Sequence, residues 1–387
     1  AVGAQQQQAH AVRAADAVRE GYLDIYVAGR VEPDQDPKPV WSFFLRNDTS
    51  PNQAPKFTNV TPQIAPALTN LGLACDALWT DYDNDGWVDL LIAGEWMPLT
   101  LLKNTKGKFT ISHSALDTQT GFWGSLAGGD FDGDGDTDYI AGNLGLNALT
   151  KASEAYPISI VAGDFNQDGM YDAIPFIYFP DAENKLIRVP FHGREDVIKQ
   201  FIQTRARFQT YKDFAKATYD NLLTEEERNK ALKLDANYCP SVYVENTGNG
   251  TFKTKPLPTL AQLSPINGMI VEDFDKDGHL DVLLVANDFG NETSTGRYDA
   301  SNGLMLKGNG KGDFTPLTQA TTGFYVPGNA KGLAQMASPD GRRMVIATQN
   351  RGPLKVFGQA TAPMKWLPLQ ANDAYAVIQT NEGKTHR

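Results

Sequence analysis

Four short acidic segments with one shared pattern constrain the fold of this 387-residue chain more than any other feature. Each has Asp or Asn at positions 1, 3 and 5, Gly at position 6 and Asp at position 9. The segments are Asp81–Asp89, Asp130–Asp138, Asp164–Asp172 and Asp273–Asp281. Short apolar runs precede and follow each segment, as in Leu90–Ala93. The pattern therefore predicts a repeated unit of strand, acidic loop and strand.

The spacing of the oxygen donors indicates what these loops bind. Donors at positions 1, 3 and 5 of a tight loop, with a backbone carbonyl near position 7, surround a hard cation, and Ca²⁺ fits best. The Gly at position 6 supplies the left-handed backbone that the turn needs. An EF-hand would place a bidentate Glu at position 12, where the four segments have Ile92, Ala141, Pro175 and Leu284. We therefore expect calcium loops between strands and exclude EF-hands.

Further segments resemble a known family when they are taken together with the loops. The resemblance is to the FG-GAP or VCBS repeats of integrin-α-like β-propellers, and more closely to the bacterial propellers found with ASPIC/UnbV domains. It extends over nearly the whole chain and includes Asp24–Arg30, Leu45–Asn47, Ala77–Trp79, Gly94–Pro98, Gly142–Asn147 and Thr295–Asp299. The resemblance implies that each loop joins the two innermost strands of a blade and binds one Ca²⁺.

The resemblance also implies a ligand set for about four Ca²⁺ sites. The side-chain ligands would be Asp81, Asp83, Asp85, Asp89, Asp130, Asp132, Asp134, Asp138, Asp164, Asn166, Asp168, Asp172, Asp273, Asp275, Asp277 and Asp281. The backbone carbonyl ligands at position 7 would be those of Trp87, Asp136, Met170 and His279.

Two degenerate units extend the repeat. Asp16–Asp24 keeps positions 1, 6 and 9 but has Val18 at position 3, which leaves metal binding there open, and Met336–Met344 keeps only the turn. Six units therefore begin near residues 10, 73, 122, 157, 266 and 330. We predict an all-β fold in which residues 1–387 form one β-propeller, with six units visible and seven blades expected from the family.

Two observations complicate the number of blades. The 34 residues between the second and third motif starts are too few for a four-stranded blade, and the missing strand is not identified by the sequence. Residues 374–380 predict a strand near the C-terminus whose partner strand is lacking, which favours a C-terminally truncated propeller or a fragment.

A change of period marks an insertion over residues 194–236. Apolar residues there recur at helical spacing, among them Val197, Phe201, Phe208 and Phe214, and the segment is locally basic. We predict an α-helical insertion in the fourth unit that packs across that blade. The alternative is a surface that docks a partner.

Composition excludes several classes of function. The chain has 35 Lys plus Arg against 46 Asp plus Glu, a net charge of −11, which argues against nucleic-acid binding. Cys75 and Cys239 belong to no metal or redox motif, so we predict that both are buried and pack as small apolar residues. No apolar run is long enough to predict a transmembrane segment, and residues 1–15 do not have the pattern of a signal peptide. No nucleophile elbow, HExxH motif or phosphate loop is present, so we expect no catalytic residues and no enzyme.

These expectations combine into a function. Loops of this ligand class suit millimolar Ca²⁺ outside cells, and the resemblance implies a Gram-negative cell surface or outer membrane, with a lipid anchor beyond these residues as one option. We expect a non-catalytic binding or adhesion scaffold for a protein or glycan, such as an accessory subunit of nutrient uptake. The alternative is the propeller of a polysaccharide lyase, which would need Lys, Arg, His or Tyr clustered in the central funnel.

Overall fold

Antiparallel strands build nearly all of the fold, as expected. The computed structural model describes residues 8–50, 53–292, 295–338, 342–358, 378–379 and 385–386. Its strands are β1 Gln8–Ala15, β2 Asp24–Val31, β3 Phe43–Asn47, β4 Phe57–Asn59, β5 Leu73–Thr80, β6 Asp89–Pro98, β7 Thr100–Asn104, β8 Phe109–Ser112, β9 Thr120–Phe122, β10 Ser125–Gly129, β11 Asp138–Gly142, β12 Ile158–Gly163, β13 Asp172–Pro180, β14 Leu186–Pro190, β15 Leu232–Ala236, β16 Val242–Asn246, β17 Phe252–Pro256, β18 Ile266–Glu272, β19 Asp281–Ala286, β20 Leu304–Gly308, β21 Phe314–Leu317, β22 Ala330–Ala337, β23 Arg343–Gln349, β24 Lys355–Gly358, β25 Ile378–Gln379 and β26 Thr385–His386.

Short helices occupy a few of the connections. The α-helices are α1 Thr61–Ile64, α2 Arg194–Gln200, α3 Thr204–Arg207, α4 Tyr211–Phe214, α5 Tyr219–Leu222, α6 Glu225–Lys230 and α7 Gln319–Thr322. Turns of 3₁₀-helix cover Pro66–Asn70, Ala115–Thr118 and Thr259–Gln262. None of the helices in the described ranges combines the length and the apolar character needed to cross a bilayer.

Five sheets follow one another in space. Sheet 1 has the order β1-β2-β3-β4, sheet 2 has β5-β6-β7-β8 with β9 added beside β6, and sheet 3 has β10-β11-β16-β17. Sheet 4 has the order β18-β19-β20-β21, and sheet 5 has β22-β23-β24. The sheets contact one another through their first strands, in the order β1, β5, β10, β18 and β22. Each acidic loop of sheets 2, 3 and 4 therefore joins this contacting first strand to the second strand of the same sheet.

The core consists of layers between successive sheets. Strand β6 shows why, because successive side chains of a strand point to opposite faces. Leu90 and Ile92 pack in the layer between sheets 1 and 2, whereas Leu91 and Ala93 pack in the layer between sheets 2 and 3. Two further layers lie between sheets 3 and 4 and between sheets 4 and 5. Sheets 2, 3 and 4 are thus apolar on both faces, as face-to-face stacking requires.

The unit that begins near residue 157 does not take a place in this series. Its strands form an inserted sheet with the order β14-β13-β12-β15, and the whole unit lies between β11 and β16 of sheet 3. The expectation of a fourth sequential blade was therefore wrong. The same topology explains the short step of 34 residues, because the outer strands of sheet 3, β16 and β17, come after the insertion.

The helices cover one face of the inserted sheet. Val161 of β12 and Ile174 and Phe176 of β13 form a core with Val197 of helix α2 and with Phe201, which directly follows this helix. The helical segment ends at Lys230 and not at residue 236, because Leu232–Ala236 is β15 and pairs with β12. Capping boxes at Thr210 and Thr224 begin helices α4 and α6.

The C-terminal expectations have mixed outcomes. The unit near residue 330 forms sheet 5, although residues 339–341 of its turn lie outside the described residues. Strand β25 pairs with β26, so the expectation that it lacks a partner strand was wrong.

Candidate functional site

The acidic loops share a backbone conformation that their own side chains enforce. In each predicted calcium loop, the position-1 Asp accepts a hydrogen bond from the N–H of the position-6 Gly, as Asp81 Oδ2 does from Gly86 at 2.9 Å. Gly86 has a φ of 83°, a conformation that costs a residue with a side chain free energy. Hydrogen bonds within each loop therefore stabilise the turn without a bound ligand.

The position-9 Asp fastens the loop to its sheet. Asp89 is fully buried, and its Oδ1 accepts a hydrogen bond from Asn104 N at 2.6 Å while its Oδ2 accepts one from Tyr82 N at 3.3 Å. Asp138 and Asp281 make the same two contacts in sheets 3 and 4. We call this contact pair the carboxylate clasp. It ties the start of the loop to the third strand of the sheet.

The degenerate first loop separates this structural role from metal binding. Asp24 forms the complete clasp with Ala17 N and Asn47 N, and Asp16 accepts from Gly21 N at 3.0 Å, although Val18 occupies position 3. The loop therefore folds without the full set of oxygen donors. Positions 1, 6 and 9 therefore suffice for this turn, even where position 3 carries no oxygen donor.

Three loops gather carboxylates closely enough to hold one ion. In each group, one oxygen per residue lies within 4.8 Å of the others; the groups are Asp81, Asp83 and Asp85, then Asp130, Asp132 and Asp138, and then Asp273, Asp275 and Asp281. In the first group Asp81 Oδ1 is buried and has no hydrogen-bond partner among the described residues. A cation would satisfy such a buried carboxylate oxygen, and an all-oxygen set suits Ca²⁺. These residues therefore fit the ion.

Burial shapes the electrostatics of the clasp. It raises the pKa of Asp89 to about 7 and the pKa of Asp138 to about 6, even though backbone N–H groups act in the opposite direction. The pKa of Asp172 also rises to about 6 through burial. A divalent cation beside these carboxylates would favour their ionised form.

Lysine side chains occupy two of the loops. Lys103 of β7 donates to Asp83 and lies 3.5 Å from Asp85 Oδ2, and Lys307 of β20 donates to Asp275 and lies 2.8 Å from Asp277 Oδ2. Each lysine directly precedes the clasp donor of the third strand. Glu245 holds the equivalent place in sheet 3, one residue before Asn246. Sequence reasoning missed these residues because the third strand lies outside the motif.

The position-7 residues directly follow the glycine of each loop. Their N–H groups donate to the position-5 carboxylates, from Trp87 at 2.8 Å, Asp136 at 2.9 Å, Met170 at 2.9 Å and His279 at 3.0 Å. The ring of Trp87 is covered by the guanidinium of Arg19 from the first loop at 4.2 Å, so it links neighbouring sheets.

The loop Asp164–Asp172 differs from the others in its surroundings. It has Asn166 at position 3, and no trio of carboxylates is gathered there within the described residues. Its Gly169 carbonyl accepts from Gln35 Nε2, and its Tyr171 N–H donates to the carbonyl of Asp34. The inserted sheet thus places this loop in contact with the connection that follows β2.

A cavity of about 860 Å³ lies between the inserted sheet and the five sheets. It is lined by the beginnings of the first strands and the ends of the second strands, so it lies at the end of the sheets opposite to the acidic loops of sheets 2, 3 and 4. Ile158 and Ile160 of β12 and Pro175 and Ile177 of β13 form its apolar roof. These residues alternate along the strands with those that face the helices.

Two ion pairs form the opposite wall, which we call the floor: Arg30 Nη2 lies 2.5 Å from Glu95 Oε1, and Lys331 Nζ lies 3.4 Å from Asp288 Oδ1. His192 reaches the floor from the inserted unit, and its Nε2 lies 3.1 Å from Glu292 Oε2. Asp36 lies beside the first pair. Burial, together with the nearby charge of Glu95, raises its pKa.

The aromatic lining includes a strained residue. Trp96 has a φ of 60°, which is unfavourable for a bulky side chain, and it sits at the irregularity where β6 pairs with β9. Its ring contacts Phe122 edge to face at 4.7 Å. Backbone strain of this kind clusters at functional sites.

The sequence carries a signal for this cavity. Four segments that carry the family resemblance, Asp24–Arg30, Gly94–Pro98, Gly142–Asn147 and Thr295–Asp299, contribute lining residues. Cys75 and Cys239 are buried, as predicted.

Comparisons with known proteins agree with the loop pattern. Residues 81–141 match the family model of the FG-GAP-like repeat, and this segment contains the first two acidic loops. No curated protein matches the chain. Among solved structures, the chain is similar to the crystal structure of the exotype rhamnogalacturonan lyase YesX, with 13% identity and a TM-score of 0.34, over 92% of this chain and 56% of that one. The chain therefore carries an FG-GAP-like repeat at residues 81–141 within an all-β, propeller-like fold.

Proposed function

We propose that the protein is a calcium-binding β-propeller that works as a non-catalytic binding scaffold on the surface of a Gram-negative bacterium. The observation that carries the metal part is the buried Oδ1 of Asp81, which lies beside Asp83 and Asp85 and has no hydrogen-bond partner among the described residues. The FG-GAP-like repeat over residues 81–141 supports the same assignment. Loops of this kind in extracellular modules have Kd values of about 10⁻⁴ to 10⁻³ M, which supports a site of action outside the cytoplasm.

The metal part is tested by thermal denaturation of metal-free protein with and without Ca²⁺, with Mg²⁺ as the matched ion. At a hundredfold excess over Kd, one site stabilises the folded state by about 2.7 kcal/mol, so several sites give a clear rise in Tm. Mg²⁺ prefers water ligands and should give a much smaller rise. An unchanged Tm in Ca²⁺ would refute the proposal.

The scaffold part is tested by purification from native membranes. We expect the protein in the outer-membrane fraction, together with a surface protein or glycan of the nutrient-uptake type. Recovery from the cytoplasmic fraction would contradict the proposed location. A variant lacking the position-3 and position-5 carboxylates of the loop Asp81–Asp89 provides the matched control for metal dependence.

A second candidate function is a polysaccharide lyase. Its supporting observation is that the cavity gathers His10, Arg30, His192, Tyr298 and Lys331, the residue types that such chemistry uses as base and as charge neutraliser. The non-catalytic proposal is preferred because Arg30 and Lys331 are already paired with carboxylates. Formation of unsaturated uronate products from pectic polysaccharides, lost in a Lys331→Met variant, would establish the second candidate instead.

A further inference from the structure

The cavity beneath the inserted sheet has the size and the lining of a ligand site. Its volume of about 860 Å³ falls within the roughly 300–1,000 Å³ of small-molecule sites. An apolar roof of Ile158, Ile160, Pro175 and Ile177 faces a floor of ion pairs and aromatic rings. The ligand must therefore offer apolar surface on one side and hydrogen-bonding groups on the other.

The charges of the floor restrict the ligand further. Four carboxyl groups line it, those of Asp36, Glu95, Asp288 and Glu292, against the permanent cations Arg30 and Lys331. An anionic ligand would meet this excess of carboxyl groups, and in the described part of the lining both permanent cations are already paired. A cationic ligand would have to displace the basic groups that already lie within 2.5 to 3.4 Å of three of the carboxylates. Burial raises the pKa of the fourth, Asp36, and so disfavours the charged form that would pair with a cation. An uncharged ligand avoids both costs.

Hydroxyl groups match this floor best. One hydroxyl can donate to Glu95 and accept from Arg30 at the same time, so a polyol can bridge each ion pair without breaking it. His192 adds a buried Nδ1 that has no hydrogen-bond partner among the described residues. Trp96, which is held at a φ of 60° against Phe122, adds an aromatic surface of the kind on which the C–H face of a sugar ring stacks.

We propose that this cavity binds an uncharged carbohydrate of one or two sugar units, with Trp96 as the stacking platform and the Arg30–Glu95 pair as the main hydrogen-bonding group. The proposal deepens the binding function given above and rests on it. It assigns the inserted sheet a role as the apolar roof of the site.

The test is calorimetric titration of the full chain, in saturating Ca²⁺ at neutral pH, with glucose, galactose, mannose and lactose. Galacturonic acid and glucosamine serve as anionic and cationic probes of similar size. We expect at least one neutral sugar to bind with a millimolar or tighter Kd, and both charged probes to bind at least about tenfold more weakly. Binding of no neutral sugar, or equal binding of a charged probe, would overturn the proposal.

Variants then locate the binding. Trp96→Ala should weaken binding of the neutral sugar by about tenfold, whereas Trp41→Ala should not, because Trp41 is 45% exposed and lies outside the cavity. Glu95→Gln leaves Arg30 without its carboxylate, so affinity for galacturonic acid should increase relative to that for galactose. An unaltered sugar affinity in both cavity variants, each with an unchanged Tm, would place the binding elsewhere.

A second titration in chelator separates this inference from the calcium proposal. Sugar binding that persists while Ca²⁺ causes no change in Tm refutes the calcium sites alone. A rise in Tm with Ca²⁺ but no sugar binding refutes the cavity assignment alone.

Discussion

Lys103 should set the calcium affinity of the loop Asp81–Asp89. Its ammonium donates to Asp83 and lies 3.5 Å from Asp85 Oδ2, where it takes the place of a cation. Bound Ca²⁺ lies about 2.3–2.6 Å from its oxygen ligands, so the lysine and the ion compete for the same carboxylates. We predict that Lys103→Met tightens calcium binding at this loop.

The size of the effect follows from the charges. Charges of +1 and +2 about 5 Å apart repel by about 1.7 kcal/mol in a medium with the dielectric constant of water, about 80, which is about a fifteenfold change in affinity. The water value gives a lower limit, because only 35% of the lysine side chain is exposed and the effective dielectric constant near a protein surface is lower. High salt should reduce the difference. The substitution also leaves the carboxylates of the metal-free loop unpaired, so the Tm without Ca²⁺ should fall.

Trp87 allows this one loop to be observed among several. Terbium is a calcium substitute whose emission is sensitised by a nearby indole, and Trp87 occupies position 7 of this loop. Calcium competition against this emission gives the affinity, and Trp87→Phe identifies the signal. Lys185→Met, on an exposed hairpin, is the matched control. A Lys103→Met variant with unchanged or weaker calcium affinity would refute the reasoning.

Three further predictions concern the same loops. Glu245→Lys should weaken calcium binding at Asp130–Asp138 by about tenfold, since it places an ammonium where sheet 3 has a carboxylate, and a calorimetric titration that shows tighter binding would contradict this. Asp138→Asn should lower the unfolding free energy of metal-free protein by about 2–4 kcal/mol, because Asp138 accepts hydrogen bonds from two N–H groups and from a tyrosine hydroxyl. The control variant Asp134→Asn should change this free energy little. Equal losses for the two variants in urea unfolding would refute the structural role of the carboxylate clasp. The pKa of Asp89 rises from an unfolded value of 3.8 to about 7, so metal-free protein should lose stability as pH rises from about 4 to about 7, and a rising Tm over that range would contradict it.

The sequence predicted those features that depend on local pattern. All six predicted units begin within a few residues of a first strand, because alternation of apolar residues and turn chemistry act over short distances. The loop conformation was equally predictable from positions 1, 6 and 9. The helical face of Val197 and Phe201 was identified by its period and packs as that period requires.

Partner choice between distant segments was not predictable. In sheet 3, β11 pairs with β16 across the whole insertion. The residue pattern of neither strand identifies the other as its pairing partner. The lysines in the loops and the floor of the cavity were missed for the same reason. Arg30, Glu95 and Lys331 come from three different sheets, and only the stacking of those sheets brings them together.

The nested position of the inserted sheet has a consequence for synthesis on the ribosome. The hairpin of β10 and β11 emerges roughly 100 residues before the strands that complete its sheet, and closing so long a loop slows folding. The inserted sheet, with its own helical core, can fold during that delay. Until β16 arrives, the edge of β11 is open to pairing with another chain. Aggregation during expression should therefore be governed by how quickly residues 143–241 fold.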